Sequence, residues 1–231
     1  MNQITPKQLF TCSNTALDGI YNNMTVQDYW NSFYSGKAYQ DLLIRPSDFA
    51  KFSLDFVKKN NVTRLVEFGC GNGRDTNFFL HADLDVFALD ASEEAVQKTC
   101  AQGTKTNKAR CFVHDVSKEL PSEVRNSEVR TCFYARFLLH ALTDDQITAF
   151  FHHCKKASKT HDFLMVEYRT EKDRHRNKVT PKHYRNYLSA EEIVTKAKEN
   201  EFSTIFVTEG TGLAKWLDDD AYVARQIFYR N

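Results

Sequence analysis

Thr63-Arg-Leu-Val-Glu-Phe-Gly-Cys-Gly-Asn-Gly-Arg-Asp75 joins a short apolar run, Leu65-Val-Glu-Phe68, to glycines at 69, 71 and 73, and Thr76-Asn-Phe-Phe-Leu80 beyond it reads as the start of a helix. A strand that turns through bare backbone into a helix lets a ligand approach the N–H groups that open the helix. Three glycine-rich sites compete for this pattern. A phosphate-cradling P-loop ends in Gly-Lys-Ser/Thr, whereas Arg74-Asp75 follow the last glycine here, which excludes it. A dinucleotide turn needs a glycine where Arg74 stands, and Glu67 would set a carboxylate beside a diphosphate. Asp90 at a second strand end still fits a ribose, so an NAD-dependent oxidoreductase stays as a minor alternative. The third site holds a ligand without phosphate and with positive charge, which suits a carboxylate just before the turn.

Working outward, strands and helices alternate. Leu84–Leu89 reads as a strand ending in Asp90, Ser92 caps a helix to about Gly103, and Ala109–His114 is a strand ending in Asp115. Val129–Tyr134 gives a fourth strand, Thr143 opens a helix through Cys154, and Asp162–Glu167 gives a fifth strand. Such alternation predicts a parallel α/β sheet with its ligand site beyond the carboxyl ends of the strands. Ser189–Asn200 reads as a capped helix, and Phe202–Thr208 and Tyr222–Tyr229 as two successive strands, hence an antiparallel pair at the sheet edge. Upstream, Arg45-Pro-Ser-Asp-Phe-Ala50 opens an amphipathic helix with Pro46 in its first turn and Phe49, Phe52, Phe56 and Val57 on one face.

The 231 residues, 42% hydrophobic and 26% charged, suffice for one domain with a real core. A net charge of +1 removes the whole-molecule field of a nonspecific nucleic-acid binder, so any charge argument is local. No run approaches the ~18 apolar residues of a membrane span, and a cytoplasmic location is expected. The six cysteines, without a Cys-x-x-Cys pair, read as reduced and mostly buried.

Glu67-Phe-Gly-Cys-Gly-Asn-Gly73 resembles the first motif of the class I S-adenosylmethionine-dependent methyltransferases, an acidic residue, one spacer and a Gly-x-Gly-x-Gly turn. The resemblance implies an α/β, Rossmann-like fold: a mostly parallel seven-stranded sheet, a C-terminal antiparallel hairpin and an N-terminal helical cap. Residues 1–61 would then be cap or lid, 62–168 the cofactor core, and 169–231 an acceptor-facing insertion with the closing strands. It implies S-adenosyl-L-methionine as cofactor, held by Glu67, Gly69, Gly71, Asn72, Gly73 and Asp75 at the turn. Asp90, Ala91 and Ser92 would serve the ribose, Asp115 and Val116 the adenine, and Tyr134 the methyl end. Tyr29-Trp30 with Phe33-Tyr34, Pro46–Ala50, Tyr134–Ala141, His183-Tyr-Arg185 and Glu209–Ala214 are similar to a bacterial subgroup associated with surface-polysaccharide and phosphosugar methylation. The amino-methyltransferase signature, Asp or Asn followed by two prolines and an aromatic residue, is absent at Tyr134-Ala-Arg-Phe, which argues against nucleic-acid base methylation.

On the acceptor side, His140 and Arg136 are the candidate catalytic groups. His140 lies at the height of a general base, and a packed helix histidine is the competing reading. Arg169 through Lys178, extended by Lys182–Arg185, holds seven Lys or Arg against two acids. Arg169, Arg174, His183, Tyr184 and Arg185 can therefore hold a phosphate or carboxylate, unless the stretch is only a solvated loop. Tyr29, Trp30 and Tyr34 form a lid or an amphipathic helix packed on the core, and Arg45 and Ser47 add polar contacts. His152-His153-Cys154 cannot converge on a metal, because adjacent helical residues point ~100° apart, and no metal is expected. The expected partner is a small-molecule or glycan acceptor carrying negative charge, with no nucleic acid and no membrane span, and with the chain as monomer or homodimer. An N- or O-methyltransferase of another small metabolite and a non-catalytic cofactor-binding module remain as alternatives.

Overall fold

The computed structural model describes residues 26–35, 45–125, 127–176, 178, 184–216 and 218–231. Its elements are α1 (Val26–Ser35), α2 (Asp48–Lys59), β1 (Arg64–Phe68), α3 (Arg74–His81), β2 (Asp85–Asp90), α4 (Glu93–Cys100), β3 (Arg110–Val113), β4 (Thr131–Arg136), α5 (Asp144–Ala157), β5 (Phe163–Arg169), α6 (Ala190–Glu199), β6 (Phe202–Trp216) and β7 (Asp219–Arg230). The seven strands form one sheet in the order β3-β2-β1-β4-β5-β7-β6. β1 to β5 pair in parallel, and β7 runs antiparallel to both β5 and β6. Strand order reverses between β1 and β4, which opens the crevice where open α/β sheets take ligands.

Alternation along each strand divides the side chains between two helical layers. Val66, Phe68, Phe133, Ala135, Leu164 and Val166 face one way, against Phe150 and Phe151 of α5 and Ile193 of α6. Leu65, Val86, Cys132, Tyr134 and Met165 face the other way, against Phe49, Ala50 and Val57 of α2 and Phe79 of α3. The helices begin where capping chemistry dictates. Ser47 caps α2, Ser92 caps α4, and Thr143 with Gln146 and Ser189 with Glu192 form capping boxes on α5 and α6. Pro46 therefore precedes the cap instead of occupying the first helical turn, because Ser47 supplies the oxygen that receives the N–H of Ala50.

Two further boundaries differ from the sequence expectation. The helix after Ser92 ends at Cys100, and residues 101–109 become a connection held by Asn107, whose amide donates to Leu80 O and Leu84 O at 3.0 and 3.1 Å. β6 runs on to Trp216 because Gly210 to Ala214, which resemble a turn, form a bulge inside the strand, with Gly212 at φ 75°. α1 packs against α4 and so leans on the cofactor half of the sheet. Among the described residues no helix is long and apolar enough to cross a membrane.

The glycine turn needs its glycines. Gly69, Gly71 and Gly73 have φ of 70°, 58° and 77°, a left-handed region that side chains disfavour. At Gly73 a Cβ would stand 2.9 Å from the Thr99 Cα, so α4 backbone occupies the place a side chain would need. Gly73→Ala is therefore expected to destabilise the protein by about 1–3 kcal/mol, measured as a lower midpoint in chemical denaturation. An unchanged midpoint would contradict this packing.

Burial holds the rings of His114, just past β3, and His153 of α5 below the ordinary imidazole value of 6.5, while the Asp115 charge at His114 and the Ser117 backbone at His153 work against it. Above that value both are neutral in folded and unfolded chains. As pH falls below it the unfolded chain binds protons first, so stability is lost on the way down to the depressed folded values. From about pH 7.5 to about pH 5.5, the wild type should lose more stability than His114→Gln/His153→Gln, as read from denaturation midpoints. Equal losses would remove the two rings as the cause.

Candidate active site

Strand alternation places a row of ionisable groups on the α2–α3 face of the sheet, at the carboxyl ends of the strands. Glu67 of β1 lies opposite Ala88 of β2 and Tyr134 of β4. Its carboxylate is buried and accepts a 2.5 Å hydrogen bond from the Thr76 hydroxyl in the first turn of α3. Burial first, then the charge of Asp75, pushes the Glu67 carboxyl well above the usual range, while the Thr76 bond works against them. A positive charge arriving here would lower that value again and would be held strongly.

Asp90 closes β2 beside the same turn. Its two oxygens accept from Gly71 N and Ser92 N, each at 2.9 Å. Burial raises its carboxyl, and those N–H bonds pull it back. Ala91 is exposed, Ser92 is buried as the cap of α4, and Asp115 is exposed with Val116 half-buried beside it. These groups lie at or just past the carboxyl ends of β2 and β3. Asn72 is half-buried at the tip of the turn, and its carbonyl accepts from the Gln102 amide.

Asp75 ties three elements together. Its Oδ1 accepts from Ser47 N at 2.7 Å, and its Oδ2 accepts from Ser47 Oγ at 2.7 Å and from the Tyr134 hydroxyl at 3.0 Å. Tyr134 is fully buried, stacked on Phe49 at 5.1 Å and raised above its ordinary value by burial and then by the Asp75 charge. Ser47, Asp75 and Tyr134 are thus brought together, with Arg45 exposed at the entrance to α2.

One step further along the strands lies a row that local sequence reading missed. Arg136 of β4 is opposite Glu167 of β5, which is opposite Arg225 of β7. The buried Glu167 accepts from Arg136 Nε at 2.9 Å and from Arg225 Nε at 2.7 Å. Burial raises its carboxyl, and the two guanidiniums oppose that rise. Phe137, next in the chain, adopts φ 54° and donates its N–H to Glu167 O at 2.7 Å, a strained conformation for a bulky residue. Its ring lies 4.2 Å from the Arg136 guanidinium carbon. The available signal for this row was the alternation of β5 and β7, which sets Glu167 and Arg225 on the face of Tyr134.

His140 is buried on a short 3-10 turn, Leu139–Ala141, with its ring against Phe137 and its Nδ1 accepting the N–H of Arg169 at 3.3 Å. In the neutral ring the proton then sits on Nε2, so the group presents a donor. Asn186 N donates to His140 O at 2.7 Å and docks residues 184–187 on this turn. Arg169 gives Nη1 to Asp173 at 2.7 Å and Nη2 to Asp219 at 2.5 Å, clamping β5 to the start of β7. Lys172 pairs with Glu209, and Lys178 with Asp173. Arg174 is exposed over the Tyr187 ring at 4.8 Å, and Tyr184 is exposed. Arg185 is half-buried among Arg169, Tyr187, Tyr29 and Asp219, its guanidinium lowered by burial and then by the Arg169 charge. Tyr29 is buried and Trp30 half-buried on α1, their rings edge to face at 5.1 Å. The Tyr34 side chain and His183 lie outside the described residues. Among the described residues no cluster of His, Cys, Asp and Glu could hold a metal.

The donor set at the turn fits a cationic ligand bearing hydroxyls, and a phosphate would meet the charges of Glu67, Asp75 and Asp90. A family profile described as a methyltransferase domain matches residues 65–161. No curated protein matches the chain. In fold it is similar to a chain of the Haloferax volcanii complex between the Trm112 methyltransferase activator and a methyltransferase, at TM-score 0.70 and 14% identity over 89% of this chain and 99% of that one. The magnesium protoporphyrin IX methyltransferase of Synechocystis PCC 6803, with bound S-adenosylhomocysteine, gives TM-score 0.60 and 12% identity over 79% and 81%. The cyclase SpnF gives TM-score 0.60 and 11% identity over 77% and 80%. The matched profile spans residues 65–161, which hold the glycine turn and its acids, and the solved structures share the fold of the sheet around them.

Proposed function

We propose that the protein transfers a methyl group to an oxygen of a small anionic acceptor, of the kind found in phosphorylated sugars and nucleotide-linked glycan intermediates, in the cytoplasm. The observation that carries the acceptor class is the Arg136–Glu167–Arg225 row, two guanidiniums against one carboxylate at the strand ends beside Tyr134. In this reading Glu67 faces the amino end of the cofactor, Asp90 its ribose hydroxyls, and Asp115 with Val116 its adenine. Gly69, Gly71, Asn72 and Gly73 give it backbone.

When bound, the cofactor supplies an electrophilic methyl on a sulfonium. The chain aligns the acceptor oxygen in line with that methyl and keeps water out, which is where most of the rate in such displacements originates. Arg136 and Arg185 attract the acceptor's negative charge, Arg136 held in aim by Glu167. A phosphate or carboxylate oxygen is already ionised and needs no base, and the Nε2–H of His140 orients it. Tyr29 and Trp30 of α1 cover the pocket as a lid, with Tyr34 on the same helix. Arg169 supports the site through its clamp on Asp173 and Asp219, while Arg174, Tyr184 and His183 belong to its outer rim. Asp75, Ser47 and Tyr134 set the wall between cofactor and acceptor. The similarity to a polysaccharide-modifying subgroup points the same way.

S-adenosylhomocysteine titrated by calorimetry should bind with release of a proton from Glu67. Affinity should fall as pH is lowered through the raised pKa of that carboxyl, since the protonated form offers the ligand's ammonium no charge. Asp90→Ala should weaken binding by about 1–3 kcal/mol through lost hydrogen bonds to hydroxyls. Binding that is independent of pH and of buffer would sink the role given to Glu67, and tighter binding of NAD would sink the cofactor reading.

Labelled-methyl transfer screened over phosphosugars, nucleotide sugars and their neutral counterparts tests the acceptor. Arg136→Gln should raise KM for the anionic acceptor about tenfold while leaving kcat within a few-fold, the pattern of lost ground-state binding. Neutral acceptors that work equally well would refute the anionic class. Cofactor binding without any transfer would mark a non-catalytic module.

A further inference from the structure

β6 is the last strand of the sheet, paired with β7 on one side, and among the described residues nothing pairs with its other edge. Such an edge offers a row of N–H and C=O groups to another strand. Three consecutive apolar side chains stand on it, Ile205, Phe206 and Val207, which are 51%, 36% and 45% exposed. Between Glu201 and Lys215 the only charge is Glu209, which pairs with Lys172 of its own chain, and there is no proline. Edges that stay free in solution are blunted by lysine, proline or bulges. β6 has bulges, around Ile205 and between Gly210 and Ala214, yet they leave residues 206–210 regularly paired between them.

The backbone groups on this edge are set by β7. Thr170 N, just past β5, donates to Tyr222 O at 3.1 Å, and Arg230 N donates to Asp162 O at 2.9 Å, so the even-numbered residues of β7 turn their backbone to β5. The odd-numbered Val223, Arg225 and Ile227 turn theirs to β6, where they lie opposite Gly210, Thr208 and Phe206. The N–H and C=O groups of Val207 and Glu209 therefore point outward.

We propose that this edge is a homodimer interface, in which two copies join their β6 strands antiparallel about a two-fold axis at Thr208. A two-fold contact uses the same patch on both copies, and centred on Thr208 it pairs the whole regular stretch with itself. Val207 lies opposite the partner's Glu209, and Glu209 opposite the partner's Val207, each pair exchanging two backbone hydrogen bonds. Thr208 meets the partner's Thr208 in the close pair between them, and threonine pairs are favourable across strands. Phe206 comes opposite the partner's Gly210. A Cβ added at Gly210 would meet no atom within 4 Å, which leaves open space for that ring, and an aromatic ring over an edge glycine stabilises a strand pair. Lys172 neutralises each Glu209, so the join brings no uncompensated like charges together. Nothing in it depends on what the glycine turn or the arginine row binds.

Sedimentation of the full chain over a dilution series should give a species of twice the 26.8 kDa chain mass. Val207→Pro removes an N–H that β7 does not use, and Thr208→Lys sets two like charges face to face on the axis. Each should raise the dimer dissociation constant about thirtyfold, since the axis doubles every loss, while the circular dichroism spectrum stays that of the wild type. If Val207→Pro unfolds, Thr208→Lys carries the test. Thr208→Cys should give an intermolecular disulfide on mild oxidation, above the wild-type level, because Cα atoms in a close pair are ~4.5 Å apart. Val207→Cys should not, because the partner's Val207 stands two residues along from the position it faces. A wild type that stays monomeric overturns the inference. So does a dimer that survives the folded variants, or one whose crosslink forms through position 207 as readily as through 208.

Discussion

A carboxylate buried within a strand is an expensive thing to fold, and Glu67 is the group around which the rest is arranged. Removing its charge from water is unfavourable unless hydrogen bonds and an opposite charge compensate. The protein supplies only part of that compensation. Thr76 donates from the first turn of α3, while Asp75 and Asp90 add like charge. The imbalance has a consequence: burial and like charge favour the protonated Glu67, and an incoming cation shifts it toward the charged form. Left-handed glycines bring backbone to the same place, and the Thr99 backbone so close to Gly73 shows how tightly α4 closes that corner.

Asp75 solves a different problem. It follows the turn directly, and it draws in the entrance of α2 through Ser47 and the end of β4 through Tyr134. Three segments far apart in the chain are therefore joined in one hydrogen-bonded knot. One step further along the strands, Glu167 holds Arg136 and Arg225, and the strained Phe137 turns the chain away from β4. Strain of this kind persists where surrounding contacts over-determine the backbone, and such places cluster at working sites.

The basic stretch after β5 shows how charge counted along a sequence can mislead. Residues 169–185 look strongly positive, yet Arg169 meets Asp173 and Asp219, Lys172 meets Glu209, and Arg176 donates to Asp220 O. Asp219, Asp220 and Glu209 come from the hairpin some forty residues downstream, beyond the reach of any local count. The proposed acceptor site draws instead on Arg136, Arg225 and Arg185, three residues that no contiguous window groups together.

The sequence by itself determined the elements and the glycine turn with the acids around it. Period-two strands, capping serines and threonines, and glycines that must adopt positive φ are local physics, and Glu67, Asp90 and Asp115 are recognisable because each follows or ends such an element. Even there, the bulge that carries β6 through Gly210 to Trp216 and the early end of α4 at Cys100 depended on pairing and packing partners elsewhere. Arg136, His140 and Arg185 could be named one by one from the sequence, but how they are grouped was decided by tertiary structure. Sheet register set Arg136, Glu167 and Arg225 in one row, and the docking of residues 184–187 on His140 brought Arg185 in. These charges are meaningful only as pairs, and pairs across strands exist only once the sheet has formed.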